Sequence, residues 1–133
     1  MRLNNSMARA AARFVGVVIG LALFGGLIGF AGAGIGSFIL RDGIAGFGAL
    51  VGALSGFVIG YPLGVIAGII MMNILLRFRG SLLFGIIGAV VGSALPAAFA
   101  ELLNVNPNLF FSLYFIGSPL LGTIGYYLTR RRQ

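Results

Sequence analysis

Four long uncharged apolar stretches separated by short polar breaks organise this chain. The first runs from Phe14 to Leu40 and ends at Arg41-Asp42-Gly43. The second runs from Ile44 to Leu76 and ends at Arg77-Phe78-Arg79-Gly80. Ser81 to Leu103 is the third, followed by Asn104-Val105-Asn106-Pro107-Asn108, and Leu109 to Leu128 is the fourth, closed by Thr129 and Arg130-Arg131-Arg132. A helix needs about 20 apolar residues to cross the hydrocarbon core of a bilayer, and each stretch has that order of length. The pattern predicts an all-α integral membrane protein, a single domain folded as a four-helix transmembrane bundle. Spans are expected at about 14–40, 44–76, 81–103 and 109–128, with a basic segment at 1–13 and a basic tail at 129–133. The charged pair and glycine at 41–43 suit a tight helical hairpin, and the Asn- and Pro-rich segment at 104–108 suits a turn.

The second stretch is overlong. At 1.5 Å per residue it would reach about 50 Å against a core of about 30 Å. Tilting beyond about 40° is unusual, so tilt does not absorb the excess. Reading 14–76 as three short spans would move Arg77, Arg79 and the terminal arginines to the far side, and is rejected. Pro62, inside Gly60-Tyr61-Pro62-Leu63-Gly64, cannot donate a hydrogen bond to the carbonyl of Val58 and biases Tyr61 away from helical geometry. A kink is expected there, or a helix that projects beyond the bilayer. Pro96 and Pro119 are expected to bend the third and fourth helices.

Glycine adds a second pattern. Gly48, Gly52, Gly56, Gly60, Gly64 and Gly68 recur every fourth residue through the second stretch, and Gly16/Gly20, Gly25/Gly29, Gly32/Gly36 and Gly88/Gly92 repeat the spacing elsewhere. Small residues are the packing device of helices in lipid, where hydrophobic attraction between helices is lost. Such a row drifts by about 40° per step, roughly 200° over six glycines. The expectation is that its two halves touch different helices, with the first helix taking one half. Tight packing within the chain is the simplest use of the row. An oligomer interface and a narrow backbone-walled pore are the functional ones.

Composition and charge place the ends. The chain has 133 residues, 59% hydrophobic and 8% charged, with mean hydropathy +1.11. A soluble domain carries about a quarter charged residues, so lipid is the main solvent here. Net charge is +7, and every basic residue is Arg. Arg2, Arg9, Arg13, Arg77, Arg79, Arg130, Arg131 and Arg132 all fall on one side of the expected bundle, whereas the other side receives Arg41 with Asp42, and Glu101. The positive-inside bias then puts both termini and the middle loop in the cytoplasm, with the arginines against anionic lipid headgroups of a cell or inner membrane. This membrane role accounts for the charge without nucleic acid. Arg2, Arg9 and Arg13 share about 40° of a helical wheel, opposite Leu3, Met7, Ala10 and Phe14, which suits an amphipathic helix on the leaflet surface or else a disordered tail. A secretory signal is excluded by the length of the apolar region.

Little chemistry remains. Without Cys or His, thiolate chemistry and the usual metal ligands are absent. No nucleophile stands with a base and no carboxylate pair lies at depth, so no enzyme, cofactor or metal is expected. Glu101 is read as a headgroup-level carboxylate, with contact to a cation or proton at a pore mouth as its functional alternative. Asn73, one turn before Arg77, could bond across helices, although capping or interfacial solvation is the simpler role. Tyr126 and Tyr127 fit an interfacial aromatic belt. The sequence points to a non-catalytic membrane subunit or scaffold that packs against itself or another membrane protein, with a small oligomeric channel or transporter as the alternative.

Overall fold

The computed structural model describes residues 2–41, 47–76, 80–103 and 106–128, with all their side chains except those of residues 2–6, 76, 97, 100–103 and 107. It holds four α-helices in chain order: α1 (Arg2–Ile39), α2 (Phe47–Leu76), α3 (Leu82–Leu103) and α4 (Pro107–Leu128). Three of them are long and apolar enough to cross a membrane, over Met7–Ile39, Phe47–Leu75 and Asn108–Leu128. In α3 the described apolar stretch is shorter, Leu82–Pro96. The chain is thus an all-helical membrane protein.

Helix ends follow local chemistry. Asn106 caps α4, its side-chain oxygen accepting from the Asn108 N–H at 3.1 Å, and Pro107 occupies the first helical position, where its missing N–H costs nothing. Ser81 stands before α3, its carbonyl accepting from the Gly85 N–H at 3.0 Å. The residues expected to form the tight turn at 42–43 lie outside the described ones.

At its start, α1 departs from expectation. The segment 2–13 is neither a separate surface helix nor a disordered tail, because α1 is one 38-residue helix from Arg2 to Ile39. Neither Gly nor Pro occurs between Arg2 and Val15, and the run Met-Ala-Arg-Ala-Ala-Ala-Arg at 7–13 consists of strong helix formers, so nothing ends the helix before the apolar span begins. Prolines do not end helices either: α2, α3 and α4 stay helical through Pro62, Pro96 and Pro119.

The helices pair as two hairpins, α1 mainly on α2 and α3 mainly on α4. Between them lies a small core of Leu21, Tyr61, Val65, Ile69, Ala89, Tyr114 and Tyr126. Most other large apolar side chains face outward, among them Leu27, Phe30, Phe38, Phe47, Ile59, Leu83 and Ile116, while Val17, Phe57, Ile66, Met72, Leu82 and Phe110 pack half-buried against the core. That distribution suits a bundle whose solvent is hydrocarbon. The hairpins differ in height, since the 30 residues of α2 span about 45 Å and the 22 of α4 about 33 Å. Where α2 and α4 finish, those two helices are nearly level, because Asn73 and Tyr126 meet close to their last turns, whereas α1 runs on through residues 2–13, about 18 Å, beyond Phe14, which packs beside Tyr127. At the other end the α1–α2 hairpin stands taller.

Candidate functional site

From Gly52 to Gly68 the row of glycines on α2 faces α1. A Cβ built on Gly52 would sit 2.7 Å from the Gly36 carbonyl carbon, and one on Gly56 would sit 2.6 Å from that of Gly32. A Cβ on Gly60 would lie 2.9 Å from the Ile28 carbonyl oxygen, one on Gly64 2.7 Å from the Gly25 Cα, and one on Gly68 2.8 Å from the Leu21 side chain. Gly48 is half-buried in the first turn of α2. The expected division of the row between two partner helices does not occur. One partner serves because α1 presents Leu21, Gly25, Ile28, Gly29, Gly32 and Gly36 in reverse order, and continuous contact over five rungs requires the two helices to wind about each other as the row drifts. From Gly52 to Gly68 the row lies against α1.

Glycine spacing alone does not identify contact. A Cβ built on Gly16 or Gly20 would have nothing within 4 Å, whereas one on Gly25, Gly29, Gly32 or Gly36 would collide with α2. In the second hairpin Gly88 lies against the Leu121 backbone and Gly92 against Gly117 and Ser118. Gly125, absent from the fourth-residue pairs noted in the sequence, lies against the Phe84 carbonyl.

Where the hairpins meet, contact is made by rings and hydroxyls. Tyr61 stacks near Phe57 at 6.0 Å, meets Phe115 edge-on at 5.0 Å and tilts against Tyr114 at 5.6 Å between ring centroids. Phe110 continues the cluster along α4, stacked on Tyr114 at 5.9 Å. The Tyr61 hydroxyl donates to the Phe115 carbonyl at 2.7 Å, and the Tyr114 hydroxyl donates to the Val58 carbonyl. Nearer the arginine-rich end, the Tyr126 hydroxyl donates to the Asn73 side-chain oxygen at 2.9 Å. Asn73 is therefore a cross-hairpin acceptor. Tyr126 turns inward and is 7% exposed, rather than lying on the lipid-facing belt, since the Asn73 oxygen gives its phenol a partner inside. Tyr127 is half-buried against Phe14, with ring centroids 6.3 Å apart.

Ser118 and Thr123 complete the polar interior. Ser118 donates to the Ala89 carbonyl at 3.0 Å across α3–α4, and Thr123 to the Pro119 carbonyl at 2.6 Å in its own helix. Among the described residues no buried side-chain nitrogen or oxygen lacks a partner, and no group of His, Cys, Asp or Glu could hold a metal. Arg9 and Arg13 lie on the N-terminal turns of α1 and are exposed. Arg77, Arg79, Arg130, Arg131 and Arg132 lie outside the described residues, as does the side chain of Glu101, whose backbone belongs to the last turn of α3.

Among the described residues two spaces bear on function. A small pocket of about 10 Å³ lies among Val17, Leu21, Ile69, Met72, Thr123 and Tyr126, room for about one water. An open groove of about 500 Å³ runs beside the α1–α2 seam, with Ile35, Ile39, Ile59 and Leu63 as walls and Gly32, Gly36, Gly52 and Gly56 as floor. The sequence singles out Asn73 and the glycines of the seam, but its simpler reading of Asn73, as a cap or a solvated group, gives way to the bond from Tyr126. It does not reveal Tyr61, Tyr114 or Ser118, although each stands beside or within five residues of a proline in an apolar helix. Comparison with known protein families, characterised proteins and solved structures gives no match for this chain.

Proposed function

We propose that this chain is a non-catalytic, multi-pass membrane subunit that acts as a scaffold, with four spans and both termini in the cytoplasm. Glycine-mediated packing serves first to hold its own helices together at backbone distance. The outward apolar faces then contact lipid, a further copy or a larger membrane partner, while the arginine-rich end holds anionic headgroups. Pro62 and Pro96 adjust the paths of α2 and α3 within the bundle.

One observation carries this reading: the space between the hairpins is filled by Tyr61, Val65, Ile69, Ala89 and Tyr114, leaving a pocket the size of a water molecule. Between its hairpins a single copy built this way has no room for a solute, and the larger groove beside the α1–α2 seam opens outward. The competing reading, a small oligomeric channel or transporter, needs its path between copies. Reconstitution of the pure protein into phosphatidylcholine–phosphatidylglycerol vesicles separates the two. The scaffold reading expects ion flux equal to that of empty vesicles, together with a stable partner or self-association in mild detergent. Flux that scales with protein content overturns it.

A further inference from the structure

A proline inside a helix leaves the carbonyl four residues before it without its N–H partner. In α2, Pro62 frees the carbonyl of Val58; in α4, Pro119 frees that of Phe115. In hydrocarbon an unpaired carbonyl costs several kcal/mol, since no water can replace the lost bond. These two carbonyls are the ones that receive the tyrosine hydroxyls described above. Tyr114 of α4 bonds the Val58 oxygen of α2, and Tyr61 of α2 bonds the Phe115 oxygen of α4. Each helix thus supplies the donor that the other helix's proline removed.

We infer that Pro62–Tyr114 and Pro119–Tyr61 form a crossed lock that sets how the two hairpins dock. The prolines create two acceptors at one depth of the bundle, and the hydroxyls can reach them only in one register of α2 against α4. Sliding α4 by a turn, about 5.4 Å, would break both bonds at once and strand both carbonyls. The rings add to the constraint: Tyr61 is 1% exposed and Tyr114 3% exposed, so neither can turn to an alternative partner without opening the core. The flanking sequence repeats as well, as Gly60-Tyr61-Pro62-Leu63 in α2 and Gly117-Ser118-Pro119-Leu120 in α4. Within the hairpins, glycine seams hold backbone to backbone. Between them the lock, joined nearer the helix ends by the Tyr126–Asn73 bond, chooses a single arrangement, whether the protein acts as scaffold or as channel.

The lock makes a paired prediction that a merely well-packed tyrosine does not. In the full chain in lipid nanodiscs, Tyr114→Phe is expected to lower the folding equilibrium constant about tenfold, as expected when a buried carbonyl loses its donor. In a Pro62→Ala background, where residue 62 again donates to Val58, the same change is expected to cost less than about threefold. Tyr61→Phe is expected to couple in this way to Pro119→Ala and not to Pro62→Ala. The chain has no cysteine, so spin labels at the exposed positions Leu54 and Leu113 report the docking directly. The label-to-label distance distribution is expected to broaden in the Tyr61→Phe/Tyr114→Phe protein and to narrow again when both prolines are replaced by Ala. Equal costs of each tyrosine change in every proline background, with an unchanged distance distribution, overturn the lock. If the double tyrosine variant does not fold, the proline-replaced version carries the test: failure to restore folding overturns the proposal too.

Discussion

Inside each hairpin the helices touch through their backbones, whereas between the hairpins they touch through rings and hydroxyls. Gly32 and Gly56 leave no room for even a methyl group, while Tyr61 and Phe115 hold their helices apart by the width of aromatic side chains. The two contacts solve one problem differently. In lipid there is no hydrophobic gain from pairing helices, so attraction comes from close packing or from hydrogen bonds. A glycine seam uses the first and tolerates no added volume. The tyrosine interface uses the second, and its sensitivity lies in single oxygen atoms.

That contrast can be broken at either side. The largest effect is expected from Gly56→Leu, where the Gly32 backbone occupies the place of the new side chain and cannot move without unwinding α1. A loss of about 3 kcal/mol or more is expected, read as a lowered denaturation midpoint in detergent or as failure to fold. Next comes Gly92→Ala, whose methyl would sit 2.7 Å from the Gly117 carbonyl carbon and 2.8 Å from the Ser118 Cα. A cost of about 1–3 kcal/mol in the same measurement would place the shorter seam in one class with the longer. An unchanged midpoint would show that the α3–α4 pair yields where α1–α2 does not.

At the interface, Tyr126→Phe removes the donor to Asn73 and keeps the ring, with an expected cost of about 1 kcal/mol. Asn73→Leu in the same protein is expected to recover part of that loss by removing the stranded acceptor. The smallest effect is expected from Gly20→Ala, since open space surrounds that position. The change is expected to be neutral or to stabilise by up to about 1 kcal/mol through helix propensity. A clear loss at Gly20 would mean that a surface outside the monomer covers it, and crosslinking between copies would then identify a self-association face.

Much of this division is readable from residue order. Stretches of apolar residues locate all four helices, with α3 and α4 starting within one or two residues of the expected positions, because charged and Asn-Pro breaks are local signals. The start of α1 is not, since a basic segment without Gly or Pro continues a helix as readily as it forms a tail. Every-fourth-residue spacing marks Gly52 to Gly68 as small-residue surface. It cannot name the partner, which depends on the path that α1 takes, nor separate the seam glycines from Gly16 and Gly20, which share the spacing but have open space where a Cβ would stand. Tyr61 and Tyr114 stand among other apolar and aromatic residues, and their role depends on carbonyls more than fifty residues away. Prolines give the only local clue, since each announces an acceptor that some donor must reach.

Unequal hairpin height has a consequence for the bilayer itself. A membrane closing around this molecule meets a wall about 45 Å tall along α2 and one about 33 Å tall along α4. Because α2 and α4 are level where Asn73 meets Tyr126, the excess length of α2 falls at its other end. Lipids there must stretch beside Phe38, Phe47 and Leu50 and relax again beside α4, at a cost of fractions of a kcal/mol per Å of mismatch. Each copy therefore carries a ramp of membrane thickness around its perimeter. A neighbour that set a tall side against this one would remove part of that ramp, so any association of copies is expected to be weaker in thicker bilayers, where the mismatch is smaller.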